Sequence, residues 1–125
     1  IMASELRVNT LKDASGNNSV AMSFVAEGSA KARHASSEDG ATLFGSFNVS
    51  SLGDISAGVE RINLSTSFAD RNYSAVSGSG SDDNGSARIT LIDGLATNLY
   101  DVNSYTVSIS LSDTSSSSTA HGDLA

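Results

Sequence analysis

The feature that most constrains this chain is the alternation of apolar and polar residues between positions 41 and 76. Turn signals at residues 53–54, 57–58 and 70–72 divide this region into short segments. Because successive side chains of a β-strand point to opposite faces, the alternation predicts strands with one buried and one solvated face, as in antiparallel sheets. The core residues predicted here are Phe47, Val49, Ile62, Leu64, Phe68 and Tyr73.

The rest of the chain continues the pattern in shorter pieces, and no helix is predicted with certainty. A helix is the alternative only for residues 29–35, where Ala, Lys and Arg favour one but Gly28 and Gly40 leave little room. Further predicted core residues are Ile89, Leu91, Val107 and Ile109. Strands are predicted at residues 5–11, 19–26, 29–35, 87–93, 104–112 and 119–125, and loops or turns at residues 77–85, 94–103 and 113–118.

Roughly eight short strands, with turn signals about every 8–12 residues, predict an all-β fold, most simply an antiparallel β-sandwich. Residues 1–28 are set off by a Glu-Gly-Ser break and are predicted to form an extended arm for docking or subunit exchange. Residues 29–125 are then the β-sandwich domain. Because Leu, Ile, Val and Phe supply only a little over about a fifth of the chain, the core is thin, and an oligomer is expected to supplement it.

The charge and composition argue against several classes of partner. The chain carries a formal net charge of −7 and only 7 scattered Lys and Arg residues, so neither nucleic acid nor an anionic membrane surface is an expected partner. It contains no cysteine, which excludes disulfides and thiolate metal sites. No apolar run reaches the length of about 20 residues that a membrane span requires, and no cleavable signal peptide is predicted.

Catalytic chemistry is not predicted for this chain, and no cofactor is expected. The two possible general bases, His34 and His121, lie in no recognisable motif, and no nucleophile elbow is present. The acidic pairs at residues 38–39 and 82–83 are adjacent in sequence, so their side chains do not face each other across the gap that a glycosidase needs. We interpret both pairs as solvated turn residues.

The segment Ser81-Asp82-Asp83-Asn84-Gly85 has the oxygen ligands and the tight turn of a calcium loop. It lacks the alternating spacing and the terminal glutamate of an EF-hand. We therefore predict no dedicated metal site, with a weak surface calcium site here as the alternative.

Two parts of the chain resemble small tail-fibre or virion appendage proteins of bacteriophages. The first is the N-terminal sequence MASELRVNTLKDASGNNS with GSAKA at residues 28–32. The second is SFNVSS at residues 46–51, followed by NLSTSF and ADRNYS at residues 63–74. The closing HGDLA has the same character. The resemblance extends over most of the chain in short, low-complexity pieces.

The resemblance implies a virion structural protein without catalytic residues. Its N-terminal arm would dock on other virion proteins or intertwine with its copies, and the β domain would face outward, in a homotrimer. The expected function is that of a tail-fibre or fibre-tip subunit that attaches the particle to a host-surface glycan or protein. The alternative is a capsid decoration or neck protein that cements its neighbours without binding a receptor. A polysaccharide depolymerase is disfavoured because the paired carboxylates are missing.

If the protein binds a receptor, the contacts are expected in loops, where a rigid β scaffold places binding residues. The loops considered are residues 53–58, 77–85 and 93–103. The candidate binding residues are Asp54, Ser81, Asp82, Asp83, Asn84, Asn98 and Tyr100.

Overall fold

The computed structural model describes residues 3–79 and 87–125, and this part of the chain consists mainly of antiparallel strands. It contains one short helix, α1 (Met22–Gly28). The strands are β1 (Thr10–Lys12), β2 (Ser19–Ala21), β3 (Ala32–Ser36), β4 (Leu43–Phe47), β5 (Val49–Ser56), β6 (Val59–Leu64), β7 (Ser74–Ser79), β8 (Arg88–Ala96), β9 (Leu99–Thr106) and β10 (Ser116–His121).

Two four-stranded antiparallel sheets form the body of the protein. The first sheet has the strand order β4-β3-β10-β7, and the second has the order β5-β6-β9-β8. Strands β1 and β2 form a separate two-stranded hairpin. The predicted all-β fold with antiparallel pairing is therefore confirmed.

Both sheets contribute side chains to one core, which gives the body a sandwich-like organisation. The first sheet supplies Ala32 and Ala120, and the second supplies Ile62, Tyr100 and Val102. Burial alternates strictly along β6 and β10, as expected where one face of a strand meets the opposite sheet.

The interior is apolar at one end and polar at the other. At the apolar end, the rings of Phe68 and Tyr73 stack with centroids 3.9 Å apart, and Tyr100 meets Tyr73 edge-on at 6.4 Å. At the polar end, the inward positions of β3 and β10 are occupied by residues such as Ser36 and Ser116. The pairing of Ala120 with Ala32 and of Ser116 with Ser36 sets the direction of this gradient.

Tyr73 also stabilises the turn between β8 and β9 through its hydroxyl group. Its hydroxyl lies 2.9 Å from the carbonyl oxygen of Ala96 and 3.0 Å from that of Leu99, so its single hydrogen is shared between two acceptors. Burial of the Tyr73 hydroxyl, and to a smaller extent the nearby Tyr100, raises the pKa of Tyr73 to about 12. The hydroxyl therefore stays protonated and can donate a hydrogen bond.

Replacing Tyr73 with phenylalanine is expected to lower the free energy of unfolding by about 1–2 kcal/mol, because both carbonyls lose this donor while the ring stays in place. Urea denaturation followed by circular dichroism measures the change. Tyr105→Phe is the matched control, since Tyr105 is half-buried on the outer face of the second sheet, and its effect is expected to stay within about 0.5 kcal/mol. Equal effects of the two substitutions would contradict the role given to the Tyr73 hydroxyl.

Five of the ten predicted core residues are exposed, so their assignment to the core was wrong. Ile62, Leu64, Phe68 and Tyr73 are buried as predicted, and Val49 is half-buried against the core. The exposed residues are Phe47, Ile89, Leu91, Val107 and Ile109.

The outward position of Phe47, Ile89 and Leu91 follows from strand pairing. Phe47 pairs with Arg33, on the opposite face of β3 from the buried Ala32. Ile89 and Leu91 alternate with Thr90, whose partner Ser104 is buried, so the apolar face of β8 is the outer one. Alternation alone identifies two faces but does not say which one is covered.

The prediction of one strand over residues 104–112 was also wrong beyond Thr106. The chain reverses there: Ile109 donates its N–H to the Thr106 carbonyl, and the Thr106 N–H bonds to Ser110. Ile109 has a φ of 62°, a left-handed conformation that is rare for a β-branched residue. Val107 and Ile109 consequently lie at an exposed turn rather than in the core.

Four further segments differ from their predictions. Residues 5–11 were expected to form a strand, but only the last two of them belong to one, β1. Residues 19–26 were expected to form one strand, but only the first three do, and α1 follows, in which Met22, Ala26 and Glu27 are good helix formers. Residues 94–103 were expected to be a long link and instead form a tight hairpin between β8 and β9. The serine-rich residues 113–118, expected to be a turn, include the start of the central strand β10. The expected strand at residues 29–35 is present as β3.

The N-terminal region stands apart from the core. No described residue from 3 to 30 is buried, and only Ala21, Met22 and Val25 are half-buried. Its boundary with the β domain at residue 28 remains a prediction.

Candidate functional site

A network of buried polar side chains fills the polar end of the interior. Alternation places His34 and Ser36 of β3, together with Ser116 and Ser118 of β10, on the inward face of the first sheet. Glu60 of β6 and Tyr100 of β9 reach them from the second sheet. The network therefore links the two sheets through side chains.

His34 lies at the centre of this network. Its Nδ1 is 2.6 Å from the Ser118 hydroxyl, which is also 2.6 Å from the hydroxyl of Tyr100. Its Nε2 is 3.0 Å from the Ser116 hydroxyl and 3.5 Å from Glu60 Oε2. Both ring nitrogens therefore have polar neighbours, as a buried imidazole requires.

Glu60 Oε2 accepts hydrogen bonds from the hydroxyls of Ser36 at 2.8 Å and Ser116 at 2.7 Å. Burial by itself pushes the pKa of the Glu60 carboxyl upward, but the interactions with His34, Ser116 and Ser36 outweigh it and hold that pKa below its ordinary value. Glu60 is therefore an anion at neutral pH.

A serine, a histidine and a glutamate in contact are the components of a hydrolytic triad. Here, however, the His34 side chain is fully buried, and the adjoining hydroxyls of Ser116 and Ser118 belong to residues that are at least 95% covered. A substrate has no access to these groups in this conformation. We interpret the network as a structural link between the sheets.

A small acidic cavity with a volume of about 20 Å³ lies beside Glu60, at the edge of the network. This volume is enough for one water molecule. Glu60 Oε1 is buried there without a hydrogen-bond partner among the described residues. The other acidic residues lining the cavity are Glu38, Asp39, Asp54 and Asp113.

Two of these acids already have partners of their own. Asp113 accepts the N–H of Gly58 at 2.7 Å, and hydrogen bonds, first from the Ser37 hydroxyl and then from the Ala41 N–H, hold the pKa of Asp39 below its ordinary value. Within residues 3–79 and 87–125, no three His, Asp or Glu side chains are grouped closely enough to hold a metal ion.

The structure does not gather the predicted binding residues into one site. Asp54 and Asn98 are both exposed, but Asp54 pairs with Glu60 whereas the Asn98 carbonyl accepts the N–H of Leu64. Glu60 and Leu64 are four residues apart along β6, so the two candidates lie about 13 Å apart, at opposite ends of the second sheet.

Tyr100 was predicted to be a loop residue available to a receptor, and this prediction was wrong. It is fully buried in β9, because the region taken for a loop is a central strand whose inward face carries the ring. Ser81, Asp82, Asp83 and Asn84, including the alternative calcium loop, lie outside the described residues.

The buried polar network was missed from the sequence because its serines occur in a run that is typical of turns. A usable signal was present: Ser116, Ser118 and Ala120 are small residues at period-two spacing. His34 likewise shares a face with Ala32. Small polar residues in such a pattern are compatible with a buried strand when partners for their hydroxyls lie opposite.

Comparisons with protein families, with curated proteins and with solved structures find no match for this chain. In the described part of the chain, no helix combines the length and the apolar character needed to cross a membrane.

Acidification is expected to remove the contribution of Glu60 to stability. Because its pKa is depressed in the folded state, this contribution is complete above the ordinary value of 4.5 and is lost as the pH falls through the folded pKa. The excess stability of the native chain over Glu60→Gln should therefore shrink between about pH 5 and pH 3. Urea denaturation at each pH measures it.

The control for this experiment is Glu27→Gln, at an exposed position in α1. Its effect is expected to stay within about 0.5 kcal/mol, as for other exposed substitutions. A difference between native chain and Glu60→Gln that stays constant down to pH 3 would show that the Glu60 carboxylate is not stabilised by its neighbours.

Proposed function

We propose that this chain is a structural subunit of a bacteriophage particle, a tail-fibre or fibre-tip protein that assembles as a homotrimer and takes part in host attachment. The observation that carries the proposal is the contrast between the arm and the body. Residues 3–28 contribute no buried side chain, while residues from 32 onward build the core. An exposed arm beside a β domain is the plan expected for a subunit that docks on its neighbours and displays the rest outward.

The exposed apolar side chains of the arm support an assembly role. Leu6 is 80% exposed and Phe24 is 73% exposed, and Leu11 and Val20 are also largely uncovered. Residues of this type gain free energy when a partner covers them. The proposed partners are other copies of the chain and other virion proteins.

Host attachment is proposed for the end of the body that carries Asp54. Asp39 and Asp113 line the same small cavity, and carboxylates at a surface accept hydrogen bonds from sugar hydroxyls or from donors of a protein. Asn98 would contribute to a separate contact at the opposite end.

The first test is sedimentation equilibrium together with immunogold labelling of particles of the phage that encodes the chain. The proposal predicts a mass of three subunits in solution and label at the tip of the tail or of its fibres. A monomer at all concentrations would contradict the trimer, and unlabelled particles would contradict the virion role.

A capsid decoration or neck protein is the second candidate, and the small size of the acidic cavity favours it. At about 20 Å³ the cavity beside Asp54 is far below the roughly 300 Å³ of an ordinary ligand pocket, so this cavity by itself is too small to enclose a receptor group. The same labelling experiment separates the candidates, because a cementing protein would place gold over the capsid or the neck.

A further inference from the structure

An apolar patch lies on the outer face of the second sheet. Two rows of paired residues run across the strands on this face. In the first row Tyr105 lies between Leu111 and Ile89. In the second row Asn103 lies between Val59 and Leu91. Alternation directs these side chains away from the core, since the neighbouring residues Val102 and Ser104 are buried. We call this surface the outer patch: Ile55, Val59, Ile89, Leu91, Tyr105 and Leu111.

The outer patch is largely uncovered in the single chain. Leu91 is 51% exposed and Ile55 is 50% exposed, and Leu111 and Ile89 are close to 40%. Ile55 joins the patch at its edge, where its Cδ1 lies over Gly53 beside Arg61. Six apolar or aromatic residues grouped in this way are typical of a surface that contacts a partner.

The total exposed area is large for a chain of this mass. The chain exposes 7617 Å². A compact monomer of 12.7 kDa is expected to expose about 6,200 Å², roughly 1,400 Å² less. A stable protein–protein contact covers about 800 Å² on each partner, so this excess is enough for one such contact.

Charge favours the arm as the occupant rather than a second body. Residues 1–28 contain two cations and three anions, for a net charge of −1. Residues 29–125 contain five cations and eleven anions, for a net charge of −6. Stacking two bodies patch to patch would bring together two units that each carry a net charge of −6, whereas the nearly neutral arm meets less repulsion.

We propose that the outer patch is the docking site for the N-terminal arm of a second copy of this chain, with Phe24 and the β1–β2 hairpin covering Leu91 and its neighbours. The contact joins two different surfaces, so it is heterologous and closes into a ring when the rotation between subunits allows it. Three subunits related by 120° close in this way. The inference rests on the role of residues 1–28 as a subunit-exchange arm in the proposed function.

The absence of cysteine allows a direct test with single-cysteine variants. Full-length Phe24→Cys and a size-tagged Leu91→Cys variant are mixed, unfolded in urea, refolded together and treated with a short bismaleimide linker. The expected product is a covalent dimer joining position 24 of one copy to position 91 of another, identified by mass spectrometry of the linked peptides. Val76→Cys is the control partner, since Val76 is 61% exposed on the outer face of the first sheet. We expect at least ten times less linkage to it.

A second pair of variants tests the contact without a linker. Leu91→Asp is expected to shift the sedimentation mass from the oligomer to the monomer while leaving the circular dichroism melting curve cooperative. Val76→Asp should leave the oligomer intact. Equal linkage of position 24 to positions 91 and 76, or an oligomer unaffected by Leu91→Asp, would overturn the docking site. Unlabelled virions together with efficient 24–91 linkage would overturn the phage role alone.

Discussion

Replacing Phe68 with alanine is expected to lower the free energy of unfolding by about 3–5 kcal/mol, which is the range for deleting a fully buried aromatic ring. Phe68 is 1% exposed, and its ring stacks on Tyr73. The segment around it is also fixed by its backbone, because the Phe68 N–H donates to the Thr97 carbonyl. This loss is large, because the chain has few other buried apolar residues and the free energy of unfolding of a native domain is only about 5–15 kcal/mol.

Phe44→Ala is the matched control, because Phe44 is 60% exposed on β4 and the substitution deletes the same ring. Its effect should stay within about 0.5 kcal/mol. Urea denaturation followed by circular dichroism compares the two at one protein concentration. A loss below about 1 kcal/mol for Phe68→Ala would show that the apolar end is not the main source of stability.

The second large effect is expected at Gly58, where alanine should destabilise the fold by about 3 kcal/mol or more. Gly58 has a φ of 73°, and a Cβ placed there would lie 2.6 Å from the backbone nitrogen of Ser112 and 2.7 Å from the carbonyl oxygen of Ser104. Both atoms belong to backbone that is itself hydrogen-bonded between these two residues. The neighbours therefore cannot move aside without breaking that contact.

Gly16→Ala separates the two causes of strain. Gly16 has nearly the same φ, 74°, but a Cβ there meets no atom within 4 Å. Its cost should be only that of the left-handed backbone, about 1 kcal/mol. If Gly58→Ala proves no more damaging than Gly16→Ala in the same denaturation experiment, the packing of residues 104 and 112 around Gly58 is looser than described.

The sequence predicts the fold class well because alternation is a local property. The strands around Ile62 and Leu64 follow from it directly, and their burial is as expected. The choice of face does not follow, as Ile89 and Leu91 show, since it depends on which sheet lies opposite. The turn at Ile109 was missed because nothing in its residue type favours a left-handed conformation.

The partners within the polar network could not be predicted from the sequence, for a different physical reason. A serine is buried at low cost only when a partner stands opposite, and the partners of Ser116 and Ser118 lie more than 50 residues away or on a strand taken for a loop. Of the candidate binding residues, Asp54 and Asn98 are exposed, but Asp54 lies in β5 and not in the loop predicted at residues 53–58. Tyr100 is buried, and its strand was not recognised.

The polar end of the interior influences the register in which β10 pairs with its neighbours. The strand begins in a run of four serines, residues 115–118, and side chains this uniform hardly distinguish the native alignment from one slipped by two residues. His34 removes the ambiguity, because its two nitrogens contact Ser118 and Ser116 at once, while Tyr100 and Glu60 select the same two serines from the other sheet. A strand slipped by two residues so that Ala120 takes the place of Ser118 would leave His34 Nδ1 and the Tyr100 hydroxyl without this partner. The network therefore helps to specify the register of β10, which the sequence of the strand itself hardly determines.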